Sequence, residues 1–185
     1  MRLSASLTLT VLVCTAPLAA QQPSRSFSLG LAAGLARQQN AGYLKQGGEA
    51  LTFQASLPLS GHVGLRADLG YTHFGMRGIV AYSPGGTIAL APQSAETGSF
   101  GLALTIHQRT HRGGFYLMAG PAVYYLFTHP DDPNTVHAGG RIGAGVDIPV
   151  EAISLFAEAE YNHVFGVPGG PDWTLPVVAG VKIGL

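Results

Sequence analysis

A two-residue period is the feature that constrains this chain most. In residues 63–74, Val63, Leu65, Ala67, Leu69 and Tyr71 alternate with Gly64, Arg66, Asp68, Gly70 and Thr72. Residues 174–185 repeat the pattern: Leu175, Val177, Ala179, Val181, Ile183 and Leu185 share one parity, and Lys182 falls on the other. Successive side chains of a β-strand point to opposite faces, so each stretch predicts a strand with one face in an apolar medium.

Six further segments alternate in the same way: 26–37, 49–59, 97–108, 115–127, 137–148 and 153–165. Pro121 interrupts one of them, and because proline cannot donate to a β-ladder a bulge is expected there. The connections differ in length, with 38–48 and 75–96 long, 128–136 and 166–173 intermediate, and 58–62, 109–114 and 149–152 short. The expectation is an all-β fold, a transmembrane antiparallel up-and-down β-barrel of eight strands. Short turns would face the periplasm with both termini, and the longer loops would face outward.

Composition narrows the classes. Charged residues make up 11% and glycines number 26 among 185, which argues against a disordered polar chain and against long helices. Lys+Arg and Asp+Glu balance at 10 each, leaving no basic field for nucleic acid. Residues 1–20 read as a signal peptide, with Arg2, an apolar stretch from Leu7 to Val13 and Leu18-Ala19-Ala20 before the expected cut. Residues 21–185 are then one outer-membrane barrel domain, without the single cysteine, Cys14. Beyond the leader, no apolar run approaches the roughly 18–20 residues of a membrane helix.

Two placements agree with a barrel in lipid. Tyr71, Tyr125, Phe127, Tyr161 and Phe165 lie on the apolar parity at the loop-side strand ends, and Phe27 and Phe115 at the other ends, as two aromatic girdles would. Arg66, Asp68, Arg141, Asp147, Glu158, Glu160 and Lys182 occupy the opposite parity and are expected to form a lumen charge network, because an isolated buried charge is very costly.

With the segments AGPAVYYLF (119–127), FAEAEYNHVFG (156–166) and LPVVAGVKIGL (175–185), the chain resembles the small OmpA/OmpX-type eight-stranded outer-membrane barrels over about residues 26–185. The resemblance implies residence in the outer membrane of a Gram-negative-type bacterium, a monomer among outer-membrane lipid, and recognition of the C-terminal strand by the barrel-assembly machinery. Members usually end in an aromatic residue, a place held here by Leu185. No peptidoglycan-binding domain is expected after the barrel, so cell-wall tethering is not carried over.

The expected role is structural or surface-interacting, through the extracellular loops, with an unknown ligand and no enzyme activity. The alternative is a narrow porin-like channel, opposed by the side-chain filling expected of eight strands. No cofactor is expected. His107 and His111 straddle a short turn and His129 and His137 flank an Asp-rich loop, but none has metal-motif spacing, so no metal site is expected either. A lipid-modifying enzyme would need a rim histidine with partners. His73 and His163 sit at that height, but no neighbouring serine or acid is evident in sequence. A soluble lipocalin-like barrel is the rival fold, with the apolar parity turned inward and Arg66, Asp68, Glu158 and Glu160 outward.

Overall fold

The computed structural model describes residues 27–38, 47–75, 79–83, 86–90, 94–110, 113–127, 134–166 and 173–185. The proposed leader, Cys14, His111 and His129 lie outside them. Among the described residues ten strands follow in order: β1 (Ser28–Gln38), β2 (Gly47–Pro58), β3 (Val63–Gly75), β4 (Ile79–Ser83), β5 (Gly86–Leu90), β6 (Ser94–Thr110), β7 (Gly113–Phe127), β8 (Thr135–Val150), β9 (Ile153–Val164) and β10 (Trp173–Gly184). Eight of them form a closed antiparallel barrel in the order β1-β10-β9-β8-β7-β6-β3-β2. The expected eight-stranded up-and-down barrel is the fold found.

Closure is staggered. The lateral row that starts at Ser28 passes Ser56, Arg66 and Ala103, is carried across an unpaired step to Gly120 by the constant offset of β6 and β7, continues through Arg141, Asn162 and Thr174, and returns to β1 at Gln38. Strand tilt and this stagger set the width, and eight strands leave an interior that side chains can just fill.

The two faces separate by polarity in the sense opposite to a soluble protein. Leu35 is 65% exposed, Ile106 61% and Ile142 58%, whereas Arg66 is 2% and Asp68 3% exposed. Water would not tolerate such a wall, so the apolar band demands lipid and the lipocalin-like alternative is excluded.

Three sequence expectations change. Connection 75–96 contains a separate hairpin, β4 and β5, paired from Ile79↔Leu90 to Ser83↔Gly86. Pro149 and Val150 belong to β8, and the turn before β9 is Glu151-Ala152. Pro121 makes no bulge. The offset of β7 against β6 is the same before and after it, and inside that ladder the gap is Leu102 and Ala103 of β6 opposite Gly120 and Pro121 of β7. The missing N–H therefore costs local pairing with β6, while Pro121 still pairs with Gly140 on β8.

Glu151 holds φ 51°, a left-handed backbone that disfavours any residue with a Cβ. Glu151→Gly is expected to raise stability by about 1 kcal/mol, read as a later midpoint in urea-dependent gel mobility. An unchanged or earlier midpoint would show that the turn stores no such strain.

Candidate functional site

Arg66 stands at the centre of the lumen. Projecting from β3, its Nε donates to Asp68 Oδ1 at 2.5 Å and its Nη2 donates to Glu158 Oε1 at 2.7 Å and Glu160 Oε1 at 3.2 Å. Nη1 also donates to Glu158 Oε2, giving the fork-to-fork geometry in which a guanidinium meets a carboxylate best. Arg141, from β8, donates through Nη2 to the other Asp68 oxygen. Tyr116 Oη donates to Glu158 Oε2 at 2.6 Å, and Tyr124 Oη to Asn162 Oδ1 at 3.2 Å.

Glycines make room for these groups. A Cβ built at Gly101 would lie 2.7 Å from Arg141 Cζ, and one at Gly145 would collide with the Tyr116 ring. The small residues of β6 and β8 thus face the long side chains of β7, β8 and β9 across a narrow interior. Arg66, Tyr116, Phe74 and Gln54 are the largest side chains almost wholly excluded from solvent.

Of the seven charges placed on the lumen parity, Arg66, Asp68, Arg141, Glu158 and Glu160 meet in one cluster. Asp147 and Lys182 do not join it through these bonds. They line a vestibule of about 120 Å³ at the short-turn end, together with Ser56, Thr105, His107 and Ser154. Lys182 Nζ lies 5.2 Å from the ring centres of both Tyr116 and Phe156, within cation–π range.

The seven aromatics assigned to girdles all lie on outward positions: Tyr71, Phe115, Tyr125, Tyr161 and Phe165 are exposed, and Phe27 and Phe127 half-buried. Tyr125 packs edge-on against Phe127 at 4.6 Å, and Phe165 against His163 at 5.1 Å. Trp173, read as loop from its Gly/Pro-rich neighbours, instead opens β10 and lies 5.9 Å from Tyr161.

The histidines divide by environment. His107 Nε2 is 2.9 Å from Thr105 Oγ1, and His137 contacts Thr135 Oγ1 and the Phe165 carbonyl. Among the described residues, no group of three or more His, Cys, Asp or Glu is disposed to hold a metal. One expectation is corrected: His73 does have an acid partner, Glu96 Oε1 at 3.5 Å from Nδ1. The pair was hidden because the long connection separates β3 from β6 in sequence while the ladder sets His73 opposite Glu96. No hydroxyl is bonded to His73 itself among the described side chains, while the Tyr71 hydroxyl interacts with Glu96.

Two polar groups of the interior have no protein partner among the described residues, and only the second belongs to a residue that the sequence singles out. Gln54, 1% exposed, has neither carboxamide atom hydrogen-bonded among the described residues, and Arg141 Nε is likewise unpartnered. A lone glutamine on the lumen parity of β2 was the only trace of the first.

No protein-family model matches the sequence, and no curated protein matches it. Solved structures match by fold. Neisserial surface protein A superposes with a TM-score of 0.63 at 16% identity, covering 86% of this chain and 97% of that one. A major outer membrane protein of Thermus thermophilus gives 0.56 at 14% identity, covering 86% and 100%. Ail, the attachment invasion locus protein of Yersinia pestis, in complex with the heparin analogue sucrose octasulfate, gives 0.51 at 15%, covering 85% and 97%. The fold is that of the small eight-stranded outer-membrane barrels, and its exposed apolar wall calls for a lipid surround.

Proposed function

We propose that this barrel is a sealed, non-enzymatic outer-membrane protein whose role is structural or surface-interacting, exercised at the end that carries the longer connections. One observation carries the reading: the Arg66 cluster fills the mid-lumen with residues that are 2–7% exposed. A barrel closed at its waist offers its outer end, where hairpin β4–β5 lies, as the surface for contact. That a barrel of this fold, Ail, has been solved in complex with a heparin analogue supports a ligand-binding role. Export by residues 1–20, assembly through β10 and a monomeric state belong to the same proposal.

A narrow channel is the second reading, and Gln54 with Arg141 Nε favours it, since buried polar atoms without protein partners are the ones that water solvates. Planar-bilayer recording on the folded full chain separates the two. The expected trace is silent. Reproducible single-channel steps that disappear in Glu158→Gln or Asp68→Asn would overturn the sealed barrel.

A further inference from the structure

The buried cluster does not balance its own charge. Two guanidiniums, Arg66 and Arg141, face three carboxylates, Asp68, Glu158 and Glu160, and all five residues are almost wholly excluded from solvent. Ionised throughout, the cluster would hold one uncompensated negative charge in a low-dielectric interior, which is very costly. The other lumen groups do not supply the difference. Lys182 of β10 and Asp147 of β8 offset one another in the vestibule, where His107 of β6 also lies. Gln54 of β2, Asn162 of β9 and the two tyrosines of β7, Tyr116 and Tyr124, are uncharged polar groups.

The hydrogen bonds show where the imbalance falls. Asp68 receives both guanidiniums, Arg66 Nε on one oxygen and Arg141 Nη2 on the other. Glu158 receives two nitrogens of Arg66 and the Tyr116 hydroxyl. Glu160 is left with Arg66 Nη2 at 3.2 Å, a nitrogen already given to Glu158 at 2.7 Å. The two glutamates stand two residues apart on the inward face of β9, and their carboxyl groups interact directly. Ionised carboxylates only accept hydrogen bonds, so a direct contact between two of them is repulsive unless one oxygen carries a proton. Tyr116 links the pair to the open end. Its ring lies 5.5 Å from that of His107 and 5.2 Å from Lys182 Nζ, and its hydroxyl reaches Glu158.

We propose that Glu158 and Glu160 hold one proton between them at neutral pH, in a carboxyl–carboxylate hydrogen bond that brings the buried cluster to zero net charge. The proton is taken from solvent as the barrel closes and is part of the mid-lumen packing. A silent barrel and a conducting one can each hold it, so neither outcome of the conductance recording bears on it. The test is carboxyl carbon-13 NMR of the folded full chain, labelled at glutamate and solubilised in detergent at neutral pH. Glu49 and Glu151, both exposed, give the ionised reference. The Glu158 and Glu160 signals are expected to be displaced from it toward the acid form, by amounts that together equal one protonated carboxyl. In Glu160→Gln two guanidiniums face two carboxylates, so the Glu158 signal moves to the ionised position, and Glu158→Gln does the same for Glu160. Heat-modifiable gel mobility shows that each variant is folded, and the unaltered protein carries the first test by itself. Every glutamate at the ionised position in the unaltered protein, or a Glu158 signal that keeps its displacement in folded Glu160→Gln, would overturn the assignment.

Discussion

Arg66→Met is expected to destabilise the barrel by about 3–5 kcal/mol, the usual cost of removing one partner from a buried ion pair. The mechanism is specific to what remains. Asp68, Glu158 and Glu160 all lose a guanidinium donor, and the Glu158 side chain has no exposed surface through which water could replace it. Tyr116 and Arg141 each keep one bond to the cluster, too few for three carboxylates. The double variant Arg66→Met/Glu158→Gln is expected to be more stable than Arg66→Met alone, because it deletes a stranded charge yet preserves an acceptor for Tyr116 Oη. Unfolding midpoints in urea, followed by gel mobility or tryptophan fluorescence of Trp173, give the cycle. Strict additivity of the two single changes would show that Arg66 and Glu158 are not coupled, and would remove the physical basis for a sealed waist.

How these groups find one another marks the boundary of what a single sequence can tell. Parity assigned the inward and outward faces in residues 63–74 and 174–185, because lipid and lumen differ sharply in polarity and the strand period is two. Height along the barrel was not accessible in the same way. Arg66 meets Glu158 across 92 positions of sequence only because the stagger lifts β9 relative to β3, and that offset is a property of closure rather than of either strand. The same gap hid His73–Glu96, and it hid that Asp147 and Lys182 line a vestibule below the Arg66 cluster, with Lys182 over the Tyr116 ring. Hairpin β4–β5 escaped for another reason. IVAYS and GTIAL are short apolar runs without a polar alternate face, set among Pro and Gly, and so carry a turn signal stronger than their strand signal.

Glycine placement supplies a second test of the barrel's geometry. Gly120→Ala is expected to cost about 1–3 kcal/mol or more through overpacking, whereas Gly140→Ala on the adjacent strand is expected to be neutral or slightly stabilising. Gly120 faces inward, and a Cβ there would overlap the Leu102 carbonyl oxygen and lie 2.7 Å from Ala103 Cα. Both obstacles are main chain, so no rotamer change can clear them. Gly140 faces outward, and the nearest atom a Cβ would meet is the Gly120 carbonyl oxygen, at 3.9 Å. Leu102 and Ala103 are also the residues left without ladder partners beside Pro121, so β6 and β7 approach closely where their hydrogen bonding is weakest. A methyl group at residue 120 would part the strands at that point, and the loss should appear as a lower urea midpoint and a smaller heat-resistant fraction on gels. If Gly120→Ala and Gly140→Ala behaved alike, the close approach of β6 and β7 at Pro121 would be wrong. The proline would then have to be accommodated by a displaced register, the bulge that its presence in the sequence first suggests.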